Sequence, residues 1–200
     1  MENLLNKNDI NIFLDLEFAK YNKQRKEELI RNFSTMPSDE PFSQRLNDWL
    51  VSWYNDQKDH AHFEFVTEDD FNPKDIKGTL NRYIERFEKE RVIRIWTGSA
   101  DNSMFGNEAV NVLYRCFHDY VHITQKAGFD FAGESFTALV QASLIPSDWL
   151  LEKQLIMADI VGLNLYHRAH NKEYVIDQRQ FIIDFLKNPA DAIFRKQVAK

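Results

Sequence analysis

Apolar residues recur every three or four positions over residues 9–32. There Ile10, Phe13, Leu14, Phe18, Tyr21, Leu29 and Ile30 line one side of an amphipathic helix. The turn-forming run Ser34-Thr35-Met36-Pro37-Ser38-Asp39-Glu40-Pro41 ends it. The same spacing predicts a helix over 42–56, with Phe42, Leu46, Trp49, Leu50 and Trp53 on one face. The period then shortens to two. Residues 60–66, His-Ala-His-Phe-Glu-Phe-Val, predict a strand. Asn72-Pro73 opens a helix running to about Glu90, proline being tolerated in a first turn. Residues 91–97 predict a second strand. Two strands flanking a helix permit a small β-α-β element. Two strands alone do not make a stable sheet, so helices must cover them.

From residue 103 onward the pattern is helical. Ser103 is a candidate N-cap for a helix over 104–126, and residues 128–133 form a glycine- and aromatic-bearing loop. Further helices are expected over 134–145, over 149–170 behind Ser147 or Asp148, and over 177–187, stopped at Asn188-Pro189. The fold class is mainly α (α+β): a helical domain with a small two-stranded β element. Residues 1–58 are expected to form an N-terminal helical extension, and residues 59–200 the helical domain. No internal repeat or low-complexity stretch interrupts this order.

Composition sharpens the picture. Of 200 residues, 44% are hydrophobic and 14% aromatic, enough to build a sizeable core rather than a disordered chain. The formal net charge of −6 argues against binding nucleic acid through phosphate contacts, which needs clustered Lys and Arg. Cys116 is the single cysteine, so no internal disulfide can form and a reducing cytoplasmic setting is expected. The N-terminal residues lack the basic-then-apolar layout of a secretory signal. No apolar run approaches ~18 residues, so no membrane partner is expected.

The chemistry concentrates on the helix over 104–126. At about 100° per residue, Asn107, Asn111, Tyr114, Arg115, His118 and His122 fall within one third of the circumference. Val110, Leu113, Cys116, Phe117, Tyr120 and Val121 fall on the other side. His118 and His122, four residues apart, can bring both rings to one point, as a divalent cation of the zinc, iron or manganese group requires. A His pair on a solvated face can also serve no ligand. His118-Asp119-x-x-His122 has the form of the zinc-protease His-Glu-x-x-His motif with Asp in place of Glu. Asp is one methylene shorter and reaches a water less well, which weakens a protease reading. Two carboxylates come from later helices. Glu134 opens the next helix, where its other role is favourable charge at an N-terminus. Asp159 lies in the apolar run Leu155-Ile-Met-Ala-Asp-Ile-Val161 and needs a partner if buried: a metal, Arg115 or a structural salt bridge. Gly162 leaves room for another helix or a ligand. His170 is expected at the surface and Cys116 in the core. Two His with Glu134 and Asp159 make a nitrogen-and-oxygen set suited to Fe, Mn or Zn, unlike a thiolate structural zinc site.

The residues Asn107-Glu108, Arg115-Cys-Phe-His-Asp-Tyr-Val-His122, Phe129-Asp-Phe-Ala-Gly-Glu134, Ala158-Asp-Ile-Val-Gly162 and Tyr174-Val-Ile-Asp-Gln178 occur in this order. Over roughly residues 65–185 the chain resembles a family of uncharacterised tailed-bacteriophage proteins. Its pattern runs Asn-Glu, Arg-x-x-His-Asp-x-x-His, Phe-x-x-x-Gly-Glu, a carboxylate before Gly-Gln, and a late aromatic-x-x-x-Gln. The chain departs from it at Leu163, where Gln is usual, and at Cys116-Phe117. The resemblance implies a phage origin, with a host cytoplasm as the setting. It groups His118, Asp119, His122, Glu134 and Asp159 as one constellation and supplies no reaction.

Three functions fit these residues. The first is a metal-dependent hydrolase acting on a nucleotide or other phosphoester. His118, His122, Glu134 and Asp159 would hold the ion, Asp119 or Glu134 would be general base, and Arg115 would neutralise developing charge. Adjacent His118-Asp119 also invites comparison with the HD phosphohydrolases. Those need an early His from a helix, whereas His60 and His62 fall on an expected strand. The second is a redox-active iron or manganese enzyme, although paired Glu-x-x-His motifs are absent. The third is a non-enzymatic phage protein that binds a host protein through aromatics in residues 34–65.

Overall fold

The computed structural model describes residues 23–99 and 101–198. Mainly helical architecture with a small two-stranded sheet is what the hydrophobic periods predict. Of the helix expected over 9–32, the part before residue 23 lies outside the described residues. The remainder is helix α1, Lys23–Thr35. The described residues fall into two compact units: one within 38–161, and one of residues 23–37 with 162–198. The expected division at residue 58 does not coincide with either boundary. The reason is that helix α2, Gln44–Gln57, packs on the central helix of the 38–161 unit.

In that unit, Ser43 caps α2 by accepting from the Leu46 N–H, and Phe42, Leu46 and Leu50 are buried. Strands β1, His62–Val66, and β2, Val92–Trp96, pair in parallel, with His62 opposite Val92 and Val66 opposite Trp96. Helix α3, Ile76–Glu90, crosses between them. It starts three residues beyond Pro73, because the Asp75 side chain takes the Gly78 N–H and sets the cap there. The central helix α4, Glu108–Gln125, packs against α2, α3 and β2. Its N-cap is Asn107, not Ser103, because Asn107 Oδ1 accepts from the N–H groups of Ala109 and Val110. Met104 and Phe105 then precede the helix as buried loop residues. Trp49 and Trp53 press on the Phe117 ring at centroid distances of 5.2 and 4.7 Å. Cys116 is buried among Phe63, Ile93, Ile95 and Ile123, the core position expected for it.

Helix α5, Phe131–Leu144, starts three residues earlier than expected because Asp130 caps it through the Gly133 N–H. The helix expected over 149–170 is interrupted. Helix α6, Leu150–Met157, passes into a π turn over Ala158–Gly162 before helix α7, Leu163–Ala169. Asp159 therefore sits on a π turn, a feature frequent at functional positions.

In the other unit, helix α8, Gln178–Lys187, buries Phe181, Ile182 and Phe185. Asn188-Pro189 does end α8, but it also starts helix α9, Pro189–Phe194, where Asn188 is the cap and the proline occupies the first turn. A Cβ at Gly162 would lie 2.8 Å from the Phe185 ring, so the room expected there for a helix or a ligand is taken by helix α8. His170 is half-buried and its Nε2 lies 2.9 Å from the Ile193 carbonyl, where a surface position was expected.

Among the described residues, no helix is long and apolar enough to cross a membrane. Phe117→Ala removes a fully buried ring from the centre of the larger unit. It is expected to cost about 3–5 kcal/mol in urea unfolding, with the slope unchanged.

Candidate metal centre

His118 and His122 lie one turn apart on α4, and Glu134 lies in the first turn of α5. These helices pack together, and the three side chains converge. His118 Nε2 is 3.0 Å from His122 Nε2. Glu134 Oε2 is 3.4 Å from the first ring nitrogen and Oε1 is 3.5 Å from the second. The His122 side chain is fully buried, and those of Glu134 and His118 are 14% and 21% exposed.

The outer ring nitrogens decide what the inner ones can do. His122 Nδ1 lies 3.0 Å from the Ala127 carbonyl, an acceptor only, so this nitrogen carries the hydrogen and donates. His118 Nδ1 lies 3.2 Å from Gln141 Oε1, and with the amide turned this way the same tautomer follows, Nδ1 donating to the oxygen. In the neutral rings both Nε2 atoms are then bare lone pairs, facing each other and a carboxylate. Such a convergence of acceptors repels itself unless a cation, a proton or a metal, sits between them. Imidazoles held through their far nitrogens are the usual arrangement around a metal.

The electrostatics agree. Burial pulls the His118 pKa down, but the hydrogen bond and charge of Glu134, with Asp119 and Gln141, outweigh it and push it up to about 9. Burial would raise the Glu134 pKa, yet hydrogen bonds and charge from His118 and His122 hold it well below the usual carboxylate range. Among the described residues, His118, His122 and Glu134 form a group that could hold a metal ion, their ligand atoms lying within 4.8 Å of one another. Two His and one Glu are a donor set of catalytic zinc sites, which keep a further position for water. Two His and one carboxylate also suit non-haem iron.

Local structure explains the convergence. Lys126 takes a left-handed conformation (φ +53°) and its N–H returns to the carbonyls of His122 and Ile123. The Ala127 N–H also donates to the His122 carbonyl at 2.9 Å, while the Ala127 carbonyl accepts from the His122 ring. The end of α4 and its ligand thus lock each other. At Gly133 a Cβ would lie 1.9 Å from the Gly128 carbonyl oxygen, so only glycine lets this loop approach the start of α5 so closely. Gly133→Ala is expected to push the loop off the helix and cost about 1–3 kcal/mol in chemical denaturation.

The other expected site residues are distributed around this centre. Asp119 is half-buried and lines an adjoining cleft of about 310 Å³ together with Arg115. Burial raises its pKa; the Glu134 charge adds to this, while His118, His122 and Arg115 act in the opposite direction. Arg115 Nη1 donates to the carbonyls of Trp96 at 2.9 Å and Gly98 at 2.6 Å, and its Nη2 to that of Ser99 at 2.7 Å. It clamps the chain leaving β2, which leaves little of its fork for a substrate. Asp159 stands outside the three-residue group and faces Tyr114 and Arg115. The Tyr114 hydroxyl is pushed well above its ordinary pKa by burial and by the charges of Asp159 and Glu134. Neither His60 nor His62 joins the group, so the early His of the HD comparison is missing among the described residues. The stripe opposite the apolar side is not solvated either, since Asn111, Tyr114 and His122 are buried.

Sequence reasoning missed Gln141 and the Ala127 carbonyl. Gln141 had one signal: it lies two turns after Glu134 on the same face of α5, as a lone amide in the apolar run Ala138-Leu-Val-Gln-Ala142. Gln141→Leu is expected to weaken zinc binding about 10–100-fold by calorimetry, and Gln141→Glu, which keeps an acceptor, to weaken it less.

Comparison of the chain with protein-family models, curated proteins and solved structures finds no match.

Proposed function

We propose that the protein is a phage-encoded metal-dependent hydrolase acting on a nucleotide or other phosphoester, with His118, His122 and Glu134 holding one divalent ion, Zn, Fe or Mn. The observation that carries this reading is the pair of imidazole Nε2 atoms 3.0 Å apart beside a carboxylate, each ring anchored through its other nitrogen. A divalent cation held there supplies Lewis acidity to the scissile bond. Asp119 follows His118 directly and lines the adjoining cleft, and in this reading it would accept the proton of an attacking water. Asp159 hydrogen-bonds the buried Tyr114 hydroxyl, which also feels the charge of Glu134, so this pair would serve as structural support beside the centre. Arg115 acts by fixing the cleft wall rather than by meeting the phosphoryl group. The phage origin and the host cytoplasm as setting rest on the sequence resemblance alone.

The same donor set favours one second reading, a mononuclear iron redox enzyme. Assay of the zinc-, manganese- and iron-loaded protein on a panel of phosphomonoesters, phosphodiesters and nucleotides separates the two. Hydrolysis with zinc or manganese, reduced at least about 100-fold in Asp119→Asn, supports the hydrolase. Dioxygen consumption by the iron form without hydrolysis sinks it.

A further inference from the structure

The cleft beside the centre is bounded by chain segments far apart in sequence: the ends of β1 and β2, the loop before α3, α3, α4 and the loop before α5. At about 310 Å³ it has room for one small group, not a polymer. Aromatic rings form much of its wall. Phe129 meets Phe71 and Tyr83 edge-on at 5.6 and 6.0 Å, and the Trp96 ring packs under the Arg115 guanidinium at 5.4 Å.

Its cations are committed within the wall. Arg115 holds three backbone carbonyls. Arg94 Nη1 donates to Asp70 at 3.1 Å, and its Nε lies 3.3 Å from Glu64. Asp70 is itself saturated by Arg94, Arg86 at 3.1 Å and the Tyr83 hydroxyl. Neither lining guanidinium presents the open fork that recognises a phosphoryl group. The acidic residues lining the space besides Asp70 are Asp69 and Asp119. Asp69 uses one oxygen, Oδ1, to accept the Phe71 N–H at 2.9 Å, which leaves Oδ2 for a ligand.

An aromatic lining combined with acidic residues matches a flat ring bearing N–H donors. We propose that this cleft is the substrate pocket and takes an amino-bearing nucleobase, its ring against the aromatic wall and its amino edge toward Asp69. The phosphoester would then point past Asp119 to the His118–His122–Glu134 centre. That orientation rests on the hydrolase reading; binding of the base does not.

The test therefore uses metal-free protein and nucleosides, which lack a phosphate. Guanosine, adenosine and cytidine are titrated by calorimetry into chelator-treated wild type, Phe71→Ala and Asp69→Asn, each variant checked for an unchanged melting transition. Ribose 5-phosphate and spermidine serve as comparison ligands. The expected result is a Kd below about 1 mM for at least one nucleoside, weakened about tenfold or more in each variant, the loss that one stacked ring or one edge contact carries. No nucleoside binding at millimolar concentration overturns the proposal. So does binding that neither variant changes, and so does tighter binding of ribose 5-phosphate or spermidine than of any nucleoside. Because no metal is present, an absent metal centre would leave a positive result standing. A working metal centre without nucleoside binding would sink the pocket alone.

Discussion

Replacing His118 and His122 together with alanine is expected to abolish metal-dependent stabilisation. A ligand that binds only the folded state at about 100 times its Kd adds about 2.7 kcal/mol of stability. For a domain of this size that corresponds to about 5–10 °C in melting temperature. The wild type should show this rise with zinc or manganese after chelation, and the double variant none. The comparison is between melting with and without metal for each protein, so any loss of packing from removing buried His122 is common to both arms and cancels. A rise of equal size in the double variant would place the ion elsewhere.

A second large effect concerns pH. In metal-free protein the cluster holds a proton, because Glu134 pushes the His118 pKa up to about 9. A metal ion must displace it, since an imidazole ligand has to be unprotonated. Affinity is therefore expected to rise about tenfold per pH unit from near neutrality to pH 9, about 100-fold in all between pH 7 and 9, then to level off. The stability of the metal-free protein runs the opposite way. His118 has a folded pKa above its unfolded value of about 6.5, so its contribution is complete below that value and is lost as pH rises through about 9. Glu134, with a lowered folded pKa, contributes above its unfolded value and loses that contribution as pH falls. Calorimetric titration at four pH values in buffers of different ionisation heat reads both the affinity slope and the proton released. In Glu134→Gln the slope should flatten, since His118 loses the carboxylate that holds its proton.

The elements were legible where one period dominated. His118 and His122 share a face because α4 is a regular helix, and angular counting is sound within it. The two strands and the helix between them followed from a switch of period. Counting failed where the helix stopped being regular. The single helix expected over 149–170 would carry Asp159, Leu163, Tyr166 and His170 along one side, and the π turn over Ala158–Gly162 breaks that register. Helix starts were displaced at Pro73, Ser103 and Glu134 because Asp75, Asn107 and Asp130 each found a backbone N–H to accept from. Those choices depend on one side-chain hydrogen bond apiece, not on hydrophobic pattern.

Arg115 illustrates a different limit. Its position on α4 could be counted, but the three carbonyls it holds belong to the chain leaving β2, a tertiary neighbour with no sequence signal. The adjoining cleft was hidden for the same reason, since its walls come from segments as distant as Val66 and Phe129. Glu134 was identifiable as a carboxylate at a helix start near the His pair. Gln141 carried a weaker signal, since a lone amide on the Glu134 face of an apolar helix does not say which ring it meets.

The most direct test of the metal centre is elemental analysis of protein purified without chelators, stripped, reloaded and dialysed, beside Glu134→Ala treated identically. About one zinc, iron or manganese ion per wild-type chain is expected to survive dialysis, as a centre with three protein ligands requires, and less than about a tenth of that in the variant. A wild type that retains no metal, or a variant that retains as much as the wild type, would contradict the account.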